Sequence, residues 1–180
     1  ARREFEYQRH GTCSFMINFD VASGRVFSPS CGPTRTEMDF VEHVRRTVES
    51  DPGATQWHFV VDNLDIHRSA SLVRLVAERD GITDDLGIKS VCGVLRSRAS
   101  RSAFLADARH SIVFHYTPKH ASWMNQVEIW LSILVRKLLR RGTFRSVQDL
   151  RDQVLAFIDY FNRTMAKPFK WTYTGKPLCV

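Results

Sequence analysis

The chain has 180 residues, and its 43% hydrophobic and 25% charged content is typical of one folded globular domain, which argues against a disordered segment. Its 26 Lys and Arg exceed its 19 Asp and Glu, so the formal charge of +7 favours a polyanionic partner without choosing among nucleic acid, acidic lipid and acidic protein. Four scattered cysteines indicate neither a zinc knuckle nor a dense disulfide framework, and no apolar run approaches the roughly 18 residues of a membrane span, so a cytoplasmic protein is expected.

The first predicted structure is an antiparallel hairpin. Residues 14–21 have the pattern of a strand, residues 22–24 supply a tight turn, and a returning strand starts at residues 25–27 and is expected to stop at Pro29. Residues 1–10 are charged and unlike a signal peptide, and they run into the hairpin without a natural beginning. We therefore expect the chain to be truncated at its N-terminus.

Helices and strands alternate after the hairpin. A helix is predicted from about Thr36, with Thr34 or Thr36 as its N-cap, to a stop at residues 51–53. The nearly continuous apolar run at residues 57–61 predicts a strand covered on both faces. Apolar residues at 72–76 mark a second helix, which should end at the Asp80-Gly81 pair.

The second half of the chain begins with an irregular segment. Residues 82–110 are rich in Gly, Ser and Arg, with a short helix expected near residues 99–108. A strand follows at residues 111–116, then a long helix at about 122–141 with Trp123 and Trp130 on its core side, and a last helix from the N-cap Ser146 to about Asn162. This order predicts a single α/β domain with a mixed sheet flanked by helices and right-handed crossovers.

Two carboxylates of this pattern are candidates for chemistry. Asp62 directly follows the buried strand, where functional groups gather in open α/β sheets, although Asp62-Asn63 is also typical of an ordinary turn. Glu128 lies on the flank of the long helix, where most glutamates only face water. Two-metal phosphodiester chemistry needs several carboxylates that hold hard cations about 3.5–4 Å apart, and a strand-end Asp facing a helical Glu provides such ligands.

Two segments resemble a known family. VVDNLDIH at residues 60–67 and HYTPKHASWMNQVEIW at residues 115–130 are similar to the second and third acidic motifs of bacterial insertion-sequence DDE transposases of the mariner-related superfamily, IS-six-thirty type. Residues 6–12 and 166–178 are also similar to this family. The resemblance implies a ribonuclease-H-like catalytic domain that cleaves transposon ends and transfers the freed strand into double-stranded target DNA, with Mg²⁺ or Mn²⁺, as two ions, and as a possible homodimer.

The resemblance also implies roles for individual residues. Asp62 becomes the second and Glu128 the third member of the catalytic, metal-binding triad. Asn63, His67 and Asn125 match motif positions near the site. His67 has three interpretations, which are orienting a carboxylate, touching phosphate, or a structural role in a helix. Asn125 either fixes the start of the helix that bears Glu128 or contacts DNA.

The chain departs from the family pattern at two places. The family's first aspartate lies on a central strand before the hairpin, and that strand is apparently lacking here. Asp20 is the available substitute, but it lies at the hairpin turn, where Asp is common for local reasons. In addition, the spacing between Asp62 and Glu128 is longer than the commoner family pattern, and residues 82–110 are interpreted as a subgroup insertion.

A basic strip is the predicted DNA-binding surface. Its members, with two residues that precede the third motif, are Arg136, Lys137, Arg140, Arg141, Lys119 and His120. Further positive charge lies in the insertion at Arg96, Arg98, Arg101 and Arg109. The alternative is a solvated helix end whose cations favour the negative pole of the helix dipole. Two other functions stay open, which are a hydrolytic nuclease with the same carboxylates and a catalytically inactive, DNA-binding remnant.

Overall fold

The computed structural model describes residues 10–118 and 125–168. Its strands and helices form a mixed α/β arrangement, as the element order predicted. In chain order they are β1 (Ser14–Asp20), β2 (Arg25–Gly32), α1 (Glu37–Glu49), β3 (Trp57–Val61), α2 (Ala70–Arg79), α3 (Arg98–Leu105), β4 (Ile112–Tyr116), α4 (Gln126–Leu134) and α5 (Val147–Thr164). Short 3-10 turns at Asp65–Arg68 and Val94–Arg96 and a π-helical turn at Val135–Leu139 complete the set.

The predicted hairpin is confirmed, but its second strand is longer than expected. Strands β1 and β2 pair antiparallel, and β2 continues past Pro29 to Gly32. The ladder contains a bulge in which Ser28 and Pro29 together face Ile17. Because a bulged residue does not donate to the ladder, the missing N–H of proline does not end the strand there.

The hairpin and the remaining strands form two separate sheets. Strands β3 and β4 pair in parallel from Trp57 opposite Ile112 to Val61 opposite Tyr116. The prediction of one mixed sheet was therefore wrong for the described residues, since these contain no strand that bridges the two pairs. The two sheets meet where the rings of Phe27 and Trp57 stack, with their centres 6.0 Å apart.

Two apolar cores hold the elements together. The larger one packs α1, α2 and α3 against the parallel pair through fully buried side chains such as Val44, Leu72, Leu105 and Phe114. The smaller one packs α4 and α5 against the hairpin around Trp130, which confirms the predicted core position of this tryptophan. Burial of an aliphatic or aromatic side chain contributes about 1.5–3 kcal/mol, so each core is a major source of stability.

Local caps explain where two helices begin. Thr36 caps α1 in a capping box with Asp39, and the side chain of Ser146 accepts the N–H of Asp149 at the start of α5. Ser146 is the predicted N-cap of α5, and Thr36 is one of the two candidates, with Thr34, that the sequence offered for α1. Such caps contribute about 1 kcal/mol each because they satisfy N–H groups that the helix leaves unbonded.

The predicted long helix at 122–141 is shorter and less regular in the structure. Helix α4 ends at Leu134, and a π-helical turn continues it to Leu139. The turn is widened by an i to i+5 bond in which the N–H of Arg140 donates to the carbonyl of Val135 at 2.9 Å. Residues 122–124, including Trp123, lie outside the described residues.

Residues 82–110, interpreted above as an insertion, contribute side chains to the larger core. Their predicted short helix is α3, and the insertion buries Leu95 and Leu105 almost completely. Gly93 has φ +65°, and a Cβ at this position would lie 2.6 Å from the carbonyl oxygen of Leu86. The close approach of these two parts of the loop therefore requires glycine. The insertion is thus an integral part of the domain.

A disulfide that the sequence did not predict joins Cys13 and Cys31 across the hairpin. Cys92 is a free, exposed cysteine in the insertion. No helix within residues 10–118 and 125–168 has the length and apolar character needed to cross a bilayer.

Candidate metal and DNA site

Asp62 lies at the carboxyl end of β3, where the adjacent Thr117 N–H donates to the carbonyl of Val61 at 3.0 Å. One carboxylate oxygen, Oδ1, accepts the Leu64 N–H at 3.0 Å and lies 2.8 Å from Nδ1 of His67. The side chain is 45% exposed. Among the hydrogen bonds of the described residues, none is donated to Oδ2.

His67 is held against Asp62 by its surroundings. It lies in the 3-10 turn, its side chain is only 15% exposed, and its ring centre is 4.5 Å from that of Phe40. The Tyr116 hydroxyl donates to the His67 carbonyl at 3.0 Å. Burial lowers the pKa of His67, and the neighbouring Asp62 opposes this shift. This geometry supports the interpretation that His67 orients the carboxylate.

Asn63 links the carboxyl ends of β3 and β4. Its amide nitrogen donates to the Thr117 carbonyl at 2.6 Å, and its amide oxygen accepts from Nη2 of Arg68 at 2.5 Å. The Arg68 guanidinium in turn lies 4.4 Å from the ring centre of Tyr116. Because both ends of the Asn63 amide are bonded within the protein, this residue shapes the site and does not extend toward a ligand.

Glu128 lies in the first turn of α4, where its N–H donates to the Asn125 carbonyl at 3.0 Å. Asn125 occupies the N-cap position, but its side chain makes no cap bond. Helix α4 packs against β1 of the hairpin. Among the described residues no hydrogen bond or ion pair joins Glu128 to Asp62, so the structure does not bring these two carboxylates into direct contact.

Asp62 does not form a metal site by itself. It offers a partly exposed carboxylate, the ligand type that Mg²⁺ prefers. Within the described ranges, however, no three His, Cys, Asp or Glu side chains come together to hold an ion. Asp20 does not add to the site, because its carboxylate accepts the Ala22 N–H and the Ser23 hydroxyl and thereby closes the hairpin turn. Asp62 therefore fits as one ligand of a site that needs others.

The predicted basic strip lies around the π-helical turn. Arg136, Lys137 and Arg141, together with Ile133, line an open cavity of about 290 Å³. Arg140 is exposed beside them. Arg136 and Lys137 belong to the π-helical turn itself, and Arg140 and Arg141 follow it directly. Lys119 and His120 lie outside the described residues.

The arginines of the insertion are largely engaged by the protein itself. Arg101 is buried and donates to the carbonyls of Arg68 and Leu95. Arg98 pairs with Asp65, and Arg109 pairs with Asp107. The charge of Arg101 was thus wrongly assigned to the DNA-binding surface, and only its spacing of four residues from the buried Leu105 pointed inward.

A family model described as DDE superfamily endonuclease matches residues 1–151. The chain belongs to this family. Its members act on DNA and generally use divalent metal ions. The match covers both acidic motifs, the insertion and α4, and ends within α5. No curated protein and no solved structure shows significant similarity to the chain.

Proposed function

We propose that this chain is the catalytic domain of a DNA transposase of the mariner-related, insertion-sequence type, with a ribonuclease-H-like fold. Its reaction is metal-dependent cleavage at transposon ends, followed by transfer of the freed strand into target DNA. The observation that carries the proposal is the state of Asp62. Its strand-end carboxylate is 45% exposed and has one oxygen fixed by His67 and Leu64, in a chain of the DDE endonuclease family.

Asp62 and Glu128 are the proposed metal ligands. A bound Mg²⁺ or Mn²⁺ would lower the pKa of a water nucleophile and stabilise the leaving oxygen. The protein's own part is to hold the carboxylates. His67 and the Leu64 N–H fix Oδ1 of Asp62 at 2.8 and 3.0 Å, so Oδ2 would be the oxygen that holds the ion. Asn63 fixes the end of β3 against β4 and so keeps the Asp62 backbone in place.

Double-stranded DNA is the proposed partner. The hollow lined by Arg136, Lys137 and Arg141 would bind backbone phosphates, and the exposed Arg140 would extend this surface. Phosphate contacts give affinity without sequence preference. A homodimer would be able to bind two transposon ends at once. In a cell, the DNA-bound protein would be associated with the nucleoid.

Cleavage of a transposon-end duplex tests the proposal. Wild type is expected to cut the DNA with Mg²⁺ or Mn²⁺ and not with EDTA, and Asp62→Asn and Glu128→Gln are expected to reduce cutting by at least about a hundredfold, since each removes a metal ligand. Asp159→Asn is the matched control, because Asp159 pairs with Arg163 on the surface of α5 and takes no part in the loop of Asp62. Undiminished cutting by either ligand variant would refute the site.

The same reactions separate the two alternatives. A target plasmid added to the assay would acquire covalently joined end DNA only if strand transfer follows cleavage. Metal-dependent cutting without joined product would identify a hydrolytic nuclease. DNA binding without any metal-dependent cutting, equal in wild type and Asp62→Asn, would identify an inactive binding module.

A further inference from the structure

Helix α3, within residues 82–110, packs against the loop that carries Asp62. This loop, residues 62–69, contains the 3-10 turn at Asp65–Arg68 and the N-cap of α2, Ser69. Helix α3 of the insertion packs against both the turn and α2. The insertion therefore lies where it is able to fix the shape of the loop.

Arg101 makes the central contact. Its Nε donates to the Arg68 carbonyl at 2.7 Å, and its Nη1 donates to the Leu95 carbonyl at 2.9 Å. The residue is 9% exposed, so the guanidinium has left water to bond two backbone carbonyls. A buried charge is costly unless it is well bonded, and its bonds to neutral acceptors are correspondingly strong.

The contact continues to the candidate site through Arg68. While Arg101 holds the backbone of Arg68, the side chain of Arg68 donates to Asn63, which bonds the end of β4 at Thr117. On the outer side of the same turn, Arg98 pairs with Asp65. One chain of contacts thus runs from α3 of the insertion to the residue next to Asp62.

We propose that Arg101 is a positioning residue, through which the insertion fixes the loop that presents Asp62 to its metal ion. The proposal rests on the proposed function for its metal, but the bracing of the loop stands on the contacts alone. This positioning role involves residues 82–110 in the candidate site, although none of their side chains is a proposed metal ligand or DNA contact.

Hydrogen exchange of the whole chain tests the bracing. Arg101→Met removes both donors and keeps most of the side-chain volume, and it is expected to speed amide exchange in residues 62–69 by about tenfold or more, the effect of losing bonds worth roughly 1.4 kcal/mol in total. Exchange in α5, which belongs to the other core, should stay unchanged. Arg101→Lys keeps one donor and should restore part of the protection, and the exposed Arg96→Met is the matched control.

Mn²⁺ affinity, measured by electron paramagnetic resonance, tests the link to the metal. Arg101→Met is expected to weaken Mn²⁺ binding by about tenfold at a temperature where circular dichroism shows a folded protein. Asp62→Asn, which removes the proposed ligand, should abolish Mn²⁺ binding at this site. Unchanged loop exchange in Arg101→Met would overturn the proposal. So would wild-type Mn²⁺ affinity in Arg101→Met when Asp62→Asn has lost it. Equal Mn²⁺ binding by wild type and Asp62→Asn would instead refute the proposed function, and exchange alone would then decide the role of Arg101.

Discussion

The Nδ1 atom of His67 lies 2.8 Å from Oδ1 of Asp62, the same oxygen that accepts the Leu64 N–H. Nδ1 also lies 3.3 Å from the Asp62 backbone carbonyl. Both neighbours are acceptors, so Nδ1 carries the proton and acts as a donor. With Oδ1 occupied in this way, a metal ion at the proposed site would be bound through the other oxygen of Asp62.

Removal of the His67 donor should weaken the binding of a metal ion to Asp62. We expect His67→Ala to lower Mn²⁺ affinity by about 10–100-fold, the usual cost of losing a partner that orients a ligand. His67→Asn retains an N–H donor at a similar position and should recover part of the affinity. Titration of Mn²⁺ against each variant measures the effect, with the exposed His10→Ala as control. Full affinity in His67→Ala would assign His67 a purely structural role.

A second histidine predicts a dependence of stability on pH. His43 is 3% exposed, and Nδ1 and Nε2 of its ring lie 2.8 Å from the Ser30 hydroxyl and 3.1 Å from Oδ1 of Asn18. Burial, and after it the nearby Arg46, lower the pKa of His43 to about 4 from an ordinary value of 6.5. The unfolded chain therefore binds the proton more readily than the folded one between these values.

Stability should accordingly fall as the pH is lowered from about 6.5 to about 4, and stay low below that range. The full effect of His43 is about 3 kcal/mol, since one pKa unit corresponds to about 1.4 kcal/mol. Urea unfolding at a series of pH values measures it. His43→Gln is expected to flatten the dependence in this window, whereas His10→Gln should leave it as in wild type. A dependence that His43→Gln does not reduce would contradict the assignment.

The hairpin disulfide should stabilise the domain when it is oxidised. Cys13 and Cys31 are separated by 18 positions, and a bridge that closes a loop of about this length contributes roughly 3 kcal/mol by restricting the unfolded chain. Cys31→Ser or reduction with dithiothreitol should lower the free energy of unfolding by the same amount and so lower the unfolding midpoint. Cys92→Ser, which removes the free cysteine, should have no effect. An unchanged midpoint after reduction would show that the bridge adds no stability.

The basic strip predicts how DNA affinity responds to salt. Each phosphate contact adds about 0.9 to the slope of log affinity against log salt concentration. The double variant Arg140→Ala, Arg141→Ala should flatten the slope by roughly twice this value and leave sequence preference unaltered. Fluorescence anisotropy with a labelled duplex provides the measurement, and Arg151→Ala on the neighbouring α5 is the matched control. An unchanged slope would place the DNA elsewhere.

Features set by nearby residues were the ones that could be predicted. The caps Thr36 and Ser146, the core position of Trp130 and the strand-end position of Asp62 depend on periodicity and on residues within one turn. Helical and strand periods are local properties of the sequence, so these features are visible in it.

Features set by tertiary partners were missed. The bridge between Cys13 and Cys31 depends on the register of a bulged hairpin, and the bulge itself lets β2 pass Pro29. Arg101 is buried because two backbone carbonyls, from separate parts of the chain, converge on it. Composition marks an arginine as surface charge, and only the fold shows that its charge is already bonded.

The division of the strands into two pairs has a consequence for handling the protein. Every strand in a two-stranded sheet has one edge without a backbone partner, which holds for all four strands in the described ranges. Such edges are templates for the addition of a strand from another molecule. Val60 is 57% exposed, so the described residues do not cover this face of β3, and the prediction of a strand covered on both faces was wrong. Its side chain makes the surface beside that edge apolar. In concentrated solution we therefore expect intermolecular β-pairing, which Val60→Lys should suppress.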